Sequence, residues 1–106
     1  MLRKSTKPSA KKTKSWANGW QKKSVVICND DGIHTRPAAA FVRIAQKFPA
    51  RIRVCKGPME VDGKSILNIL SLGAKKGTKL TLAAEGPKAK EALQALGRLI
   101  REGFEE

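Results

Sequence analysis

Between Val25 and Ile100 the apolar residues keep switching between a period of two and a period of three to four, and this succession orders the elements of the fold. Val25-Val26-Ile27-Cys28 is a short β-prone run. Residues 37–48 follow, with Phe41, Ile44, Ala45 and Phe48 on one helical face, and Pro49 stops that helix. Arg51-Ile52-Arg53-Val54-Cys55 alternates as a half-buried strand does, and Gly57-Pro58 turns the chain. Met59 and Val61 are the inward positions of the next short strand. Ser65 caps a short helix reaching about Leu72, with Gly73 near its end. Lys79–Ala84 alternates again. After Gly86-Pro87, a stripe of Ala89, Ala92, Leu93, Leu96, Leu99, Ile100 and Gly103 marks the last helix. The order is β-α-β-β-α-β-α. Strands with one apolar face each pack most economically as one antiparallel sheet covered on one side by helices. A split β-α-β, ferredoxin-like arrangement accounts for the first six elements equally well.

The chain has 106 residues, which is one domain's worth. Its formal net charge of +13 is unevenly spread: residues 1–23 carry eight Lys or Arg and no acid, against fourteen basic and nine acidic residues beyond. Residues 1–23 read as a flexible basic arm able to attract anionic partners, and residues 24–106 as the folded domain. Trp16 and Trp20 share a face at helical spacing and can pack on the domain or on a partner. No apolar run approaches the ~18 residues that span a bilayer. No signal-peptide core follows Met1, so the expectation is a cytoplasmic protein without membrane insertion. Cys28 and Cys55 read as two small buried hydrophobes in a reducing compartment. One histidine and two scattered cysteines make no metal-ligand cluster, and no phosphate-cradling Gly-rich loop appears, so neither metal nor cofactor is expected.

His34, the only histidine, sits in Gly32-Ile33-His34-Thr35-Arg36-Pro37-Ala38-Ala39-Ala40-Phe41-Val42, where a strand-like segment gives way to a helix-like one. A helix start attracts anions through its free N–H groups and disfavours a protonated imidazole. Arg36, two residues on, can clamp phosphate oxygens with its planar fork of donors. Pro37 is harmless there because the first helical N–H groups lack partners anyway, and Gly32 permits a sharp turn. The pattern suits a phosphoryl-accepting nucleophile, although a lone histidine is more commonly a surface or satisfied structural residue.

That run resembles the active-site signature of the HPr family, the histidine-containing phosphocarriers of the bacterial phosphoenolpyruvate:sugar phosphotransferase system. Val61-Asp62-Gly63-Lys64-Ser65-Ile66-Leu67-Asn68-Ile69-Leu70-Ser71-Leu72-Gly73 is similar to the family's regulatory-serine region. Gly77-Thr78-Lys79-Leu80-Thr81-Leu82-Ala83-Ala84-Glu85-Gly86 is similar to its last strand and following turn. The three blocks keep the family's order over roughly residues 24 to 103. Among the topologies left open above, the resemblance implies an HPr-like open-faced sandwich: an α+β fold with a four-stranded antiparallel sheet and three helices on one face.

The resemblance further implies a carrier, not an enzyme, that takes a phosphoryl group from enzyme I and passes it to enzyme IIA domains for sugar uptake. His34 would be the phosphoacceptor, through Nδ1, and Arg36 the phosphate-stabilising residue. Thr35 would cap the helix and contribute to docking. Asp31 stands where many family members have asparagine, adding a mildly repulsive carboxylate. Ser65 would be the regulatory site of an HPr kinase/phosphorylase as well as an N-cap. Ile66, Leu67 and Leu70 would form an apolar docking patch beside His34. Alternatives are a carrier in a nitrogen-related or purely regulatory phosphorelay, and a small basic nucleic-acid-binding protein with salt-sensitive affinity.

Overall fold

The computed structural model describes residues 19–104. The elements are β1 (Gln21–Val26), α1 (Thr35–Ala45), β2 (Arg51–Lys56), β3 (Met59–Asp62), α2 (Ile66–Ser71), β4 (Lys79–Glu85) and α3 (Ala89–Arg101). Their order matches the expected β-α-β-β-α-β-α. The strands form one sheet in the order β1-β4-β2-β3, every neighbouring pair antiparallel. A ferredoxin-like sheet is also antiparallel throughout but has the order β4-β1-β3-β2; here β1 is an edge strand and β4 lies between it and β2, so the strand order excludes that fold and leaves the open-faced sandwich.

One face of the sheet carries the core. Val25, Ile52, Val54, Val61, Leu80, Leu82 and Ala84 point inward and meet Phe41, Ile69, Leu72, Leu93, Leu96 and Ile100 from the helices. No polar or charged residue is buried among the described residues, so burial of apolar area drives the assembly. The other face is polar and carries the ion pairs Arg51–Glu85 and Arg53–Glu60. Two aliphatic residues share that face: Ala83, fully buried between its register partners Lys22 and Arg53, and Val26, exposed on the edge strand.

Several expectations need correction. The first strand begins at Gln21, ahead of the expected run from Val25: Gln21-Lys22-Lys23-Ser24 looks unlike a strand but pairs residue by residue with Ala84 to Thr81. Pairing with a neighbouring strand outweighs the weak intrinsic preference of these residues. Lys22 and Lys23 therefore belong to the sheet, and Trp20 is half-buried just before it. The rest of the expected arm, residues 1–18 with Trp16, lies outside the described residues. Helix α1 starts two residues early and stops at Ala45. The bonds Lys47 N–H to Ile44 O and Phe48 N–H to Ala45 O then tighten the chain ahead of Pro49. Met59 is exposed, because it sits at the hairpin tip of an edge strand, opposite Lys56. Gly103 is not part of the α3 stripe but lies beyond the helix end, with φ +71°.

The cysteines also depart from the expected pair of buried hydrophobes. Cys28 is exposed, just past β1, and its thiol donates to Ile100 O at 3.2 Å at the end of α3. Cys55 is half-buried, and burial, reinforced by the nearby Glu60 carboxylate, pushes its thiol up to about 11. It therefore stays protonated and unreactive at neutral pH.

Gly97 is buried in the middle of α3, and a Cβ there would meet Lys23 Cε at 2.5 Å. That atom ends a flexible side chain which can swing away. Gly97→Ala is expected to raise stability by roughly 0.5–1 kcal/mol through helix propensity. A urea titration checks this, and a lower midpoint would show that the Lys23 stem cannot move.

Candidate functional site

Helix α1 has His34 at its N-cap position, with extended backbone (φ −122°, ψ −161°) and no side-chain cap bond. This corrects the reading of Thr35 as the cap; Thr35 is the first helical residue. The cap's own carbonyl already accepts from Ala38 N–H at 2.9 Å. Thr35 and Arg36 have backbone N–H groups without an intrahelical partner, and Pro37 has none to offer. Two backbone donors and the positive end of an eleven-residue helix thus stand at the helix start that His34 caps. His34, Thr35 and Arg36 are all exposed, whereas Pro37, Ala38, Ala40 and Phe41 anchor the helix in the core. The chemistry stands on the surface and its support lies beneath.

The loop carrying His34 is stitched to the loop before β4. Ile27 N–H donates to Thr78 O, Gly77 N–H to Ile27 O, and Ile33 N–H to Ala74 O, all within 2.7–2.9 Å. Gly32, at φ +67°, lies so close to Ala74 that a Cβ would fall 2.5 Å from its carbonyl oxygen. Asn29 closes the loop from inside: its carbonyl accepts from Gly32 N–H at 3.1 Å, and its Nδ2 donates to Gly32 O at 2.7 Å. Outside, Asp30 Oδ1 accepts from Lys76 Nζ at 2.9 Å, and this contact holds the Asp30 carboxyl below its ordinary range. Exposed as it is, the pair contributes little to stability. Asp30 and Asp31 are exposed, as a solvated turn would be.

His34 and Arg36 line an open cleft of about 760 Å³ that also receives Asn29, Asp31, Arg43 and Phe104. Arg43 is one residue that sequence reading missed. Its spacing of seven from Arg36 places both on one face of α1, a signal that was available. Asn29 and Phe104 gave no such signal, because chain reversal brings them there. Among the described residues no group of His, Cys, Asp and Glu could hold a metal ion, and no helix is long and apolar enough to cross a membrane.

Ser65 is the N-cap of α2 as expected. Its Oγ accepts from Asn68 N–H at 3.2 Å and from Asn68 Nδ2 at 3.1 Å. Beside it Ile66 is 40% and Leu67 77% exposed, an unusual outlay of apolar surface. Leu70 packs partly against the core and is not fully available for docking.

An open cleft, a cap-position histidine and an arginine on an open-faced sandwich coincide with a family match. The family model for the PTS HPr component phosphorylation site matches residues 21–102. This chain belongs to the HPr family. Phosphocarrier protein HPr of Pseudomonas aeruginosa is 46% identical over 83 residues, 77% of this chain and 92% of that protein. A multiphosphoryl transfer protein of Vibrio cholerae is 42% identical over 76% of this chain, which spans only 21% of that larger protein. Among solved structures, HPr of Thermoanaerobacter tengcongensis superposes with a TM-score of 0.77 at 44% identity, covering 81% of this chain and 98% of that one. HPr of Bacillus anthracis gives 0.75 at 38% identity, covering 78% and 99%. The match to the family begins at Gln21, the residue where β1 begins.

Proposed function

We propose that the protein is a phosphocarrier of the phosphotransferase system, taking a phosphoryl group from enzyme I onto His34 Nδ1 and delivering it to enzyme IIA domains. The observation that carries this reading is the exposed imidazole at the N-cap of α1, with Arg36 and the free helix N–H groups around it. The neutral ring attacks phosphorus as the bond from phosphorus to the donor group of enzyme I breaks; the new N–P bond is labile, and the ring nitrogen leaves readily when the next acceptor attacks. Positioning and charge stabilisation dominate phosphoryl transfer, and the partner can supply much of both, so the carrier needs exposure more than machinery. The inclusion of a similar domain in a multiphosphoryl transfer protein agrees with a place in a phosphoryl relay. The test is a reconstituted chain: phosphoenolpyruvate and enzyme I should phosphorylate the protein, and an added IIA domain should then discharge it. A phosphorylated protein that no sugar-specific IIA domain discharges would move the assignment to a regulatory relay.

Ser65 is the regulatory residue in this reading, within reach of an HPr kinase/phosphorylase. Ile66 and Leu67 beside it form the exposed apolar surface that a partner buries, with the exposed Thr35 and the half-buried Leu70 as further docking residues. A phosphate on Ser65 would place nearly two negative charges against that surface. Ser65→Asp is expected to slow phosphorylation by enzyme I while leaving the melting temperature almost unchanged, because aspartate caps as well as serine does. Ser65→Ala should do the reverse: it loses the cap, costing about 0.5–2 kcal/mol, and keeps transfer. Undiminished transfer in Ser65→Asp would remove Ser65 from regulation.

A further inference from the structure

Asn29 carries a feature that loop closure does not explain. Its Nδ2 donates to Gly32 O at 2.7 Å, but its Oδ1 is buried with no hydrogen-bond donor among the described residues. Swapping the amide would set Oδ1 against the Gly32 carbonyl, so the unpartnered atom is the oxygen. A buried acceptor left unmade is destabilising, and the residue that carries it is one of those lining the cleft of His34 and Arg36, so a small shift of the amide would bring the oxygen within reach of that cleft. Those two side chains are donors with no hydrogen bond of their own among the described residues, whereas Arg43 is already engaged. The imidazole must stay outward for the partner's active site. The guanidinium is long, and its five N–H groups can serve two acceptors on two edges.

We propose that Asn29 is a positioning residue for phosphoryl transfer: when phosphate draws the Arg36 guanidinium over the cleft, one edge of the fork binds the phosphoryl oxygens and another donates to Asn29 Oδ1. The inference rests on His34 being the phosphoacceptor. The unpartnered oxygen of the free protein is then a waiting half of a contact completed only in the charged state. A hydrogen bond that forms only there favours the phosphorylated form, and its acceptor is prepaid by the folded loop.

The direct reporter is the Asn29 side-chain carbonyl in the wild-type full chain, followed by 13C NMR before and after phosphorylation with phosphoenolpyruvate and enzyme I. The Asn29 13Cγ resonance should move downfield on phosphorylation, and that move should vanish in Arg36→Lys, a substitution that removes the fork but keeps the charge. Kinetically, Asn29→Ala should slow phosphoryl uptake by about ten- to a hundredfold, the scale of one hydrogen bond to a charged group. In an Arg36→Ala background the same substitution should cost less than about twofold. A residue that merely stiffened the loop would impose its full cost in both backgrounds. Phosphate on His34 with an unmoved Asn29 resonance, or equal losses in both backgrounds, overturns this inference alone. A wild-type chain that takes no phosphate on His34 overturns the reading beneath it as well.

Discussion

Gly32→Ala should be the most damaging single-methyl addition in this protein. The residue sits at φ +67°, a conformation that costs a residue bearing a Cβ about 1–2 kcal/mol. The added Cβ would also fall 2.5 Å from Ala74 O and 2.9 Å from Lys75 Cα. Both are backbone atoms, so neither can swing aside as a lysine tip can. Relief requires the loops to part, weakening the Ile33 N–H to Ala74 O bond by about a further 1 kcal/mol. The expected loss is roughly 2–4 kcal/mol, which for a domain of this size lowers the melting temperature by roughly 10–25 °C. Because the parted loop carries His34, phosphoryl uptake measured well below the melting temperature should also fall. A Gly32→Ala chain that melts within about 3 °C of wild type would show that the loop has another way to turn.

Arg36→Ala should produce the opposite separation, a large kinetic loss with little loss of stability. The side chain is exposed and makes no hydrogen bond among the described residues, and alanine is the better helix former. Stability should therefore stay within about 0.5 kcal/mol of wild type. In the proposed role of Arg36, transfer should lose a charge-assisted, forked contact to the phosphoryl group as it moves. Slowing by one to three powers of ten is expected, roughly 1.4–4 kcal/mol of barrier. Arg36→Lys should recover part of the charge effect and little of the geometry. Stopped-flow or quench measurement with enzyme I separates these outcomes, and unchanged transfer in Arg36→Ala would take the arginine out of the site.

The legibility of this chain follows from where the information lies. The β2 strand, α3 and the Ser65 cap were readable because local period or local hydrogen bonding decides each of them. The start of β1 was not, since only the facing residues of β4 make a strand of Gln21-Lys22-Lys23-Ser24. Met59 looked inward by alternation alone, but it closes the hairpin opposite Lys56 on an edge strand and stays exposed. Cys28 looked like core because it follows Ile27, yet β1 ends at Val26 and the chain turns its thiol to the end of α3. At the site, His34 and Arg36 were legible as a spacing, and Arg43 should have been. Asn29 was invisible: its role depends on the Gly32 carbonyl and on Gly103, whose added Cβ would touch it at 3.9 Å from over 70 residues away.

The central claim is that His34 accepts the phosphoryl group, and mass measurement of the intact chain tests it most directly. The protein is incubated with phosphoenolpyruvate and enzyme I and kept alkaline, where a phosphorylated imidazole persists. The account predicts addition of one phosphoryl group to the wild type, its loss on mild acid treatment, and none on a folded His34→Ala chain. An acid-stable phosphate, or one that survives in His34→Ala, would contradict it.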